Sequence, residues 1–217
     1  MRSTSALIIA AAFCAGLAGN ACASVVVNNG PPNQTGGSDA NSFLEADNFT
    51  LAAASTNLNL VRFWALQSIA ADYTGSISWS INQNSGGSPG ASVASGSANP
   101  LGVATGVAAL GFFEFSYQFA INATLAAGNY WLVLHNGPNN AQPGGDFYWE
   151  WSSDQGNSMN FDLTSSPSSW TSNLAELAFQ LEARDPQGVP EPATLALVVA
   201  GLAAATVRGR RAAGRAA

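Results

Sequence analysis

The sequence predicts an all-β fold, a jelly-roll-like antiparallel β-sandwich flanked by an N-terminal signal-peptide helix and a C-terminal transmembrane helix. Three observations lead to it. Nine or ten short segments alternate apolar and polar residues with a period of two, separated by Gly-, Asn-, Ser- and Pro-rich turns. No stretch between residues 24 and 183 carries an apolar stripe at helical spacing. Apolar runs closed by or following basic residues occur only at the two ends of the 217-residue chain.

The first 23 residues read as a secretory signal. Arg2 is the positive start, residues 6–18 are the apolar centre, and Ala21-Cys22-Ala23 is a small-residue cleavage site. Cleavage after Ala23 makes Ser24 the mature N-terminus. It implies the Sec translocon and signal peptidase as partners. A lipoprotein reading of Cys22 is poor, because Gly19-Asn20-Ala21 is not a good lipobox. Both cysteines, Cys14 and Cys22, leave with the signal, so the exported part has no disulfide.

The secreted domain follows, residues 24–183. Val25 and Val27 open a first strand, and residues 29–41 read as a loop. Strands are expected at 48–51 and 58–66. The second is apolar on both faces, which predicts a central or bulged strand. Ile77, Trp79 and Ile81 alternate with Ser76, Ser78 and Ser80. Residues 86–90 turn, 91–96 form a weak strand, and 99–111 read as an Ala/Gly-rich loop. Phe113, Phe115, Tyr117 and Phe119 share one face. Residues 130–135 form a strand and 136–145 a long polar loop. Phe147, Trp149 and Trp151 then alternate with Tyr148 and Glu150. Met159, Phe161 and Leu163 come next, and Leu177, Phe179 and Leu181 form the last strand. One apolar face per strand suits two sheets packed with those faces inward.

Charge and residue counts exclude several functions. Residues 24–188 hold twelve acids against Arg62 and Arg184, a net charge of about −10. Such a surface repels nucleic acid and tolerates neutral glycans and cations. One histidine, His135, and no cysteine in the exported part leave no His/Cys metal cluster. No G-x-S-x-G is present, which argues against a hydrolase triad. Asp39, Asn41, Glu45 and Asp47 supply hard oxygens close in sequence and are candidate calcium ligands, with an ordinary polar loop as the alternative. The aromatic tract at 147–151 reads first as a core face at period two. That leaves Tyr148 and Glu150 on the opposite face as candidate glycan contacts. A glycosidase needs two facing carboxylates, and nothing in the sequence pairs Glu114 with Glu150.

Residues 184–188 form a linker, and 189–217 carry the most specific signal. Val189-Pro190-Glu191-Pro192 is followed by fifteen uncharged, mostly apolar residues, 193–207, and then by Arg208, Arg210 and Arg211. A helix of that length spans roughly 22 Å at about 1.5 Å per residue, a short membrane span. The arginines predict a cytoplasmic C-terminus, with everything before Pro190 outside. The triplet, the short apolar helix and the basic end resemble the PEP-CTERM sorting signal of Gram-negative, biofilm-forming bacteria. That resemblance implies processing near the motif by an exosortase-like membrane protease. It also implies transient anchoring in the inner membrane, delivery to the cell surface or matrix, and association with exopolysaccharide. Residues 80–96 and 125–140 loosely resemble segments of secreted β-sandwich domains that precede such tails. The expected function is a non-catalytic exported surface or matrix protein. The alternatives are a carbohydrate- or ice-binding adhesion module and a secreted enzyme acting on polysaccharide. The Thr-x-Thr faces that would argue for ice are absent.

Overall fold

The computed structural model describes residues 23–52, 55–154, 156–163 and 169–184, which belong to one compact unit, Ala23–Arg184. Most of the predicted signal, including Ala21, lies outside these residues, as do the linker beyond Arg184, the Val189–Pro192 motif and the C-terminal arginines. Among the described residues no helix is long and apolar enough to cross a membrane.

The strands are β1 (Ala23–Asn28), β2 (Pro32–Asp39), β3 (Phe43–Leu51), β4 (Thr56–Gln67), β5 (Ile77–Ser85), β6 (Ser88–Ala98) and β7 (Val103–Ala109). They continue with β8 (Phe112–Leu125), β9 (Gly128–Asn136), β10 (Phe147–Ser152), β11 (Met159–Asp162), β12 (Trp170–Ser172) and β13 (Phe179–Arg184). They form two antiparallel sheets in a sandwich-like fold. Sheet B runs β12-β11-β3-β9-β5-β6. Sheet A is built on β4. On one side β4 pairs with β8, which carries β7 at its outer edge. On the other side β13 pairs along residues 58–63 of β4 and β10 along 65–67, carrying β1 and β2 respectively.

The expectation for residues 58–66 holds in both its forms: β4 is central, and it carries a register shift between Leu58 and Leu60. Its inward row Leu58, Val61, Phe63 and Ala65 is fully buried, while Leu60, Arg62 and Trp64 are half-exposed on the outer row. Phe63 is the hub of the core. Tyr117 stacks on it with ring centroids at 5.2 Å, and Phe119, Phe147 and Trp149 meet it edge-on at 6.2–6.4 Å. Such pairs contribute beyond their area burial. From sheet B, Ile77, Trp79 and Ile81 close the core as their alternation predicts. Gly96 is needed beneath Trp79, because a Cβ there would lie 3.0 Å from the indole.

Three strands depart from the sequence reading. The predicted loop at 29–41 contains β2, and the predicted loop at 99–111 contains β7. Both are edge strands of small residues, with little side-chain packing to mark them. The third, β12, has only three residues. Outside the main core, Ala46, Trp131, Val133 and Met159 form a second apolar cluster on the outer face of sheet B, capped by Leu44 and Trp170.

Phe63→Ala is expected to cost about 3–5 kcal/mol in denaturant unfolding, the range for emptying a large buried aromatic site. Val25→Ala, on exposed β1, is expected to stay within about 0.5 kcal/mol of wild type.

Candidate functional site

The outer face of sheet A holds the polar chemistry of the domain, in two adjoining places. The first is a buried acid pair. Glu114 on β8 and Tyr148 on β10 lie in one row across the sheet, because both pair with Leu66 of β4. Glu150 follows two residues along β10, on the same face. The two carboxyl groups are buried, Glu150 completely, and Glu114 is near enough to act on the Glu150 carboxyl.

The cover is a bulge of β2. Between the Gly37–Glu150 and Pro32–Ser152 pairs, residues 33–36 arch away from the ladder. The Asn33 carboxamide oxygen accepts the Thr35 N–H at 2.9 Å, which shapes the arch. Gln34 sits at its crown in the left-handed region, φ 58°. Its backbone N–H donates to Glu150 Oε1 at 3.0 Å, and its side-chain amide donates to Glu114 Oε2 at 3.1 Å. Gly36 lets the arch descend, since a Cβ there would strike the Trp151 ring.

Burial pushes the Glu150 carboxyl up to about 8, and the neighbouring Glu114 adds to the rise. Glu150 Oε2 has no donor in reach. A proton on that oxygen, donated to Glu114, leaves both groups satisfied. Sequence reasoning left these two acids unpaired because the pairing depends on the β8-β4-β10 register. The same cover leaves Glu150 no surface on which to meet a sugar, a correction to its reading as a glycan contact. Tyr148 is half-buried; its hydroxyl donates to Asp146 Oδ1 at 3.1 Å, and its ring meets Phe112 edge-on at 5.4 Å.

The second place is a groove of about 560 Å³, lined by Arg62, Trp64, Leu101, Val103, Ser116 and Gln118. Trp64 is half-exposed on the outer row of β4. Arg62 Nη2 donates to Gln118 Oε1 at 3.1 Å and stands 4.0 Å from Glu182. The groove therefore combines an indole with guanidinium, carboxamide and hydroxyl groups. None of these residues was a predicted contact. The available signal was the outer row of β4, where Leu60, Arg62 and Trp64 stay half-exposed.

The four predicted calcium ligands are only partly brought together. Asp39 and Glu45 line a cleft of about 190 Å³ with Ser38, Trp151, Asn160 and Asn173. Asp39 Oδ1 is occupied by the N–H groups of Asn41 and Ser42, which it caps at 3.0 and 3.1 Å. Asn41 is a buried tie. Its amide donates to Gly144 O and Gly145 O, and its oxygen accepts from Asn136. Asp47 points into the sandwich and accepts from Asn29 Nδ2, Asn48 N and Leu177 N. Among the described residues no three His, Cys, Asp or Glu groups are placed to hold a metal ion. His135, read from sequence as a strand-end residue, is fully buried. Its ring nitrogens face Gly137 O at 3.3 Å and Asn41 O at 3.2 Å, and burial lowers its proton affinity.

No protein-family model matches the chain, and no curated protein matches it.

The acid pair makes stability depend on pH. The Glu150 carboxyl is raised from its ordinary 4.5 to about 8, so between those values the folded chain holds a proton that the unfolded chain has released. Stability from this group is thus lost as pH rises through that window and does not change below it. Burial also raises Glu45, Asp47 and Glu176, which add the same sign. Glu150→Gln keeps a neutral donor at the site. Its melting temperature is expected to gain on wild type steadily as pH rises from 4.5 to 8. Parallel curves for the two proteins would show that Glu150 carries no extra proton in the fold.

Proposed function

We propose that the chain is an exported, non-catalytic surface or matrix protein, delivered by a C-terminal signal that an exosortase-like protease processes. The observation that carries this reading is the order of Val189-Pro190-Glu191-Pro192, a short apolar run and Arg208, Arg210 and Arg211. Two prolines hold the motif extended, the form in which proteases bind substrates. Glu191 places one charge at the membrane face, where a basic group of the enzyme can select it. The domain's own ends are compatible with this layout: Ala23 pairs with Arg184, so the chain enters and leaves the sandwich side by side. We read the sandwich as jelly-roll-like, on the repeated passage of consecutive strands from one sheet to the other. The absence of catalysis is supported by the acid pair, since Glu114 and Glu150 are covered by Gln34 and open to no substrate.

A second reading, carbohydrate binding, is favoured by the groove at Trp64. A flat indole stacks on a sugar face while Arg62, Gln118 and Ser116 bond its hydroxyls. The acidic surface favours a neutral glycan over an anionic one.

Two experiments test these readings. In a host that carries the protease, the triple variant Pro190→Ala, Glu191→Ala, Pro192→Ala is expected to remain full-length in the inner membrane while wild type is shortened and released. Release of the variant like wild type would reduce the tail to a plain anchor. For the groove, electrophoresis of the mature protein through gels containing neutral glucan, galactan or mannan is expected to show retardation in at least one. Trp64→Ala is expected to abolish it and Tyr148→Ala to preserve it. Equal retardation of wild type and Trp64→Ala would remove the groove from the account.

A further inference from the structure

The inner row of β3 runs from the core into a cleft. Leu51 and Phe49 belong to the main core, and Asp47 is tied by Asn29, Asn48 and Leu177. Glu45 and Phe43 then line the cleft of about 190 Å³. It lies where the chain passes from β2 of one sheet to β3 of the other, and it shares no lining residue with the Trp64 groove. Glu45 is 1% exposed, and no cation answers it, since the one ion pair among the described residues is Arg62 with Glu182. Burial pushes its carboxyl well up, and the neighbouring Asp39 adds to the rise.

Part of the cleft's polar lining is used within the fold. Asp39 Oδ1 caps Asn41 and Ser42, Glu45 Oε2 accepts from Asn173 at 3.0 Å, and Asn173 Oδ1 accepts from Asn160 at 2.7 Å. The other oxygens of these side chains are not. Asp39 Oδ2, Glu45 Oε1 and Asn160 Oδ1 accept no hydrogen bond among the described residues. Glu45 and Asn160 are direct partners across β3 and β11, so their side chains lie on one face. One donor is also left. The Ser38 hydroxyl accepts from Trp151 Nε1 at 3.2 Å and Asn173 Nδ2 at 3.4 Å, and its own proton has no acceptor among the described residues.

Three acceptors, two of them carboxylate oxygens, match the three N–H donors of a primary ammonium. Trp151 and Phe43 stand beside them, and an aromatic face attracts an organic cation. The charge of about −10 on the exported part draws cations to the whole domain. Calcium takes about six to eight oxygens, more than the cleft has left. A lysine side chain brings only methylenes next to its ammonium and leaves the Ser38 proton without an acceptor. A 2-amino sugar carries hydroxyls beside its ammonium and supplies one. We propose that this cleft binds an amino-sugar unit with a free ammonium group, held by Asp39, Glu45 and Asn160 beside Trp151. The site adds a cationic glycan to the ligands of the domain and does not rest on the neutral-glycan reading of the Trp64 groove.

Isothermal titration calorimetry of the secreted protein with a glucosamine tetramer tests this. Wild type is expected to bind it, and to bind the N-acetylglucosamine tetramer, whose nitrogens carry no charge, about tenfold or more weaker. Glu45→Gln keeps the shape and removes the buried acid. It is expected to melt no lower than wild type and to bind the glucosamine tetramer about tenfold or more weaker. Asp39→Asn, which keeps the capping oxygen, is expected to weaken binding in the same direction. Asp154→Asn changes net charge equally at an exposed position outside the cleft and is expected to bind like wild type. No binding by wild type, equal binding of the two tetramers, or wild-type binding by folded Glu45→Gln or Asp39→Asn overturns the proposal. An equal loss in Asp154→Asn would trace binding to overall charge and overturn it too. Displacement of the glucosamine tetramer by an equal concentration of n-butylamine or of calcium would reassign the cleft to a lysine-like amine or to the metal, and overturn it as well.

Discussion

The domain buries carboxylic acids without cations to answer them. Glu45, Asp47, Glu114, Glu150 and Glu176 are all buried, and the one ion pair among the described residues, Arg62 with Glu182, lies at the surface. A buried carboxylate with no cation must be bonded by amides and backbone N–H groups or hold a proton. Both solutions are used, and they set the architecture. Asp47, on sheet B, accepts the N–H of Leu177 at the entry to β13 and the amide of Asn29 after β1, so it ties the two sheets together. Glu45 accepts from Asn173 beside β12. Glu114 and Glu150 share the two donors of Gln34 and fix the arch of β2 over sheet A.

This arrangement bears on function through what it hides and what it leaves open. Glu114 and Glu150 take their donors from the arch that covers them. A few residues away on the same sheet face, Trp64, Arg62, Ser116 and Gln118 line an open groove. In the proposed reading the tail brings the domain to the cell surface and the groove faces neutral glycan.

The sequence makes the strands with clean alternation legible, because period-two patterning survives wherever one face is apolar and the other polar. Ile77, Trp79 and Ile81 are buried together, as are Phe147 and Trp149. It hides β2 and β7, whose residues are chiefly Gly, Ala, Ser, Thr, Asn and Val and whose strand character comes from pairing alone. It also hides the site. Glu114 and Glu150 are 36 residues apart, and only the register through Leu66 brings them onto adjoining positions of one face. The candidate calcium ligands illustrate the converse. Their closeness in sequence is real, but Asp39 caps its own turn, Glu45 is taken by Asn173 and Asp47 by Asn29 and Leu177.

The claim on which the rest depends is that a glutamate in this fold keeps its proton at neutral pH. Carbon-13 NMR of protein labelled at the glutamate carboxyls, titrated between acid and mildly alkaline pH, measures it directly. Assignment of the Glu150 signal follows from its loss in Glu150→Gln. The expected result is a Glu150 carboxyl that titrates at about 8. Ionisation of Glu150 near 4.5 would contradict the account, because the pair beneath Gln34 would then hold two adjacent charges with no proton between them.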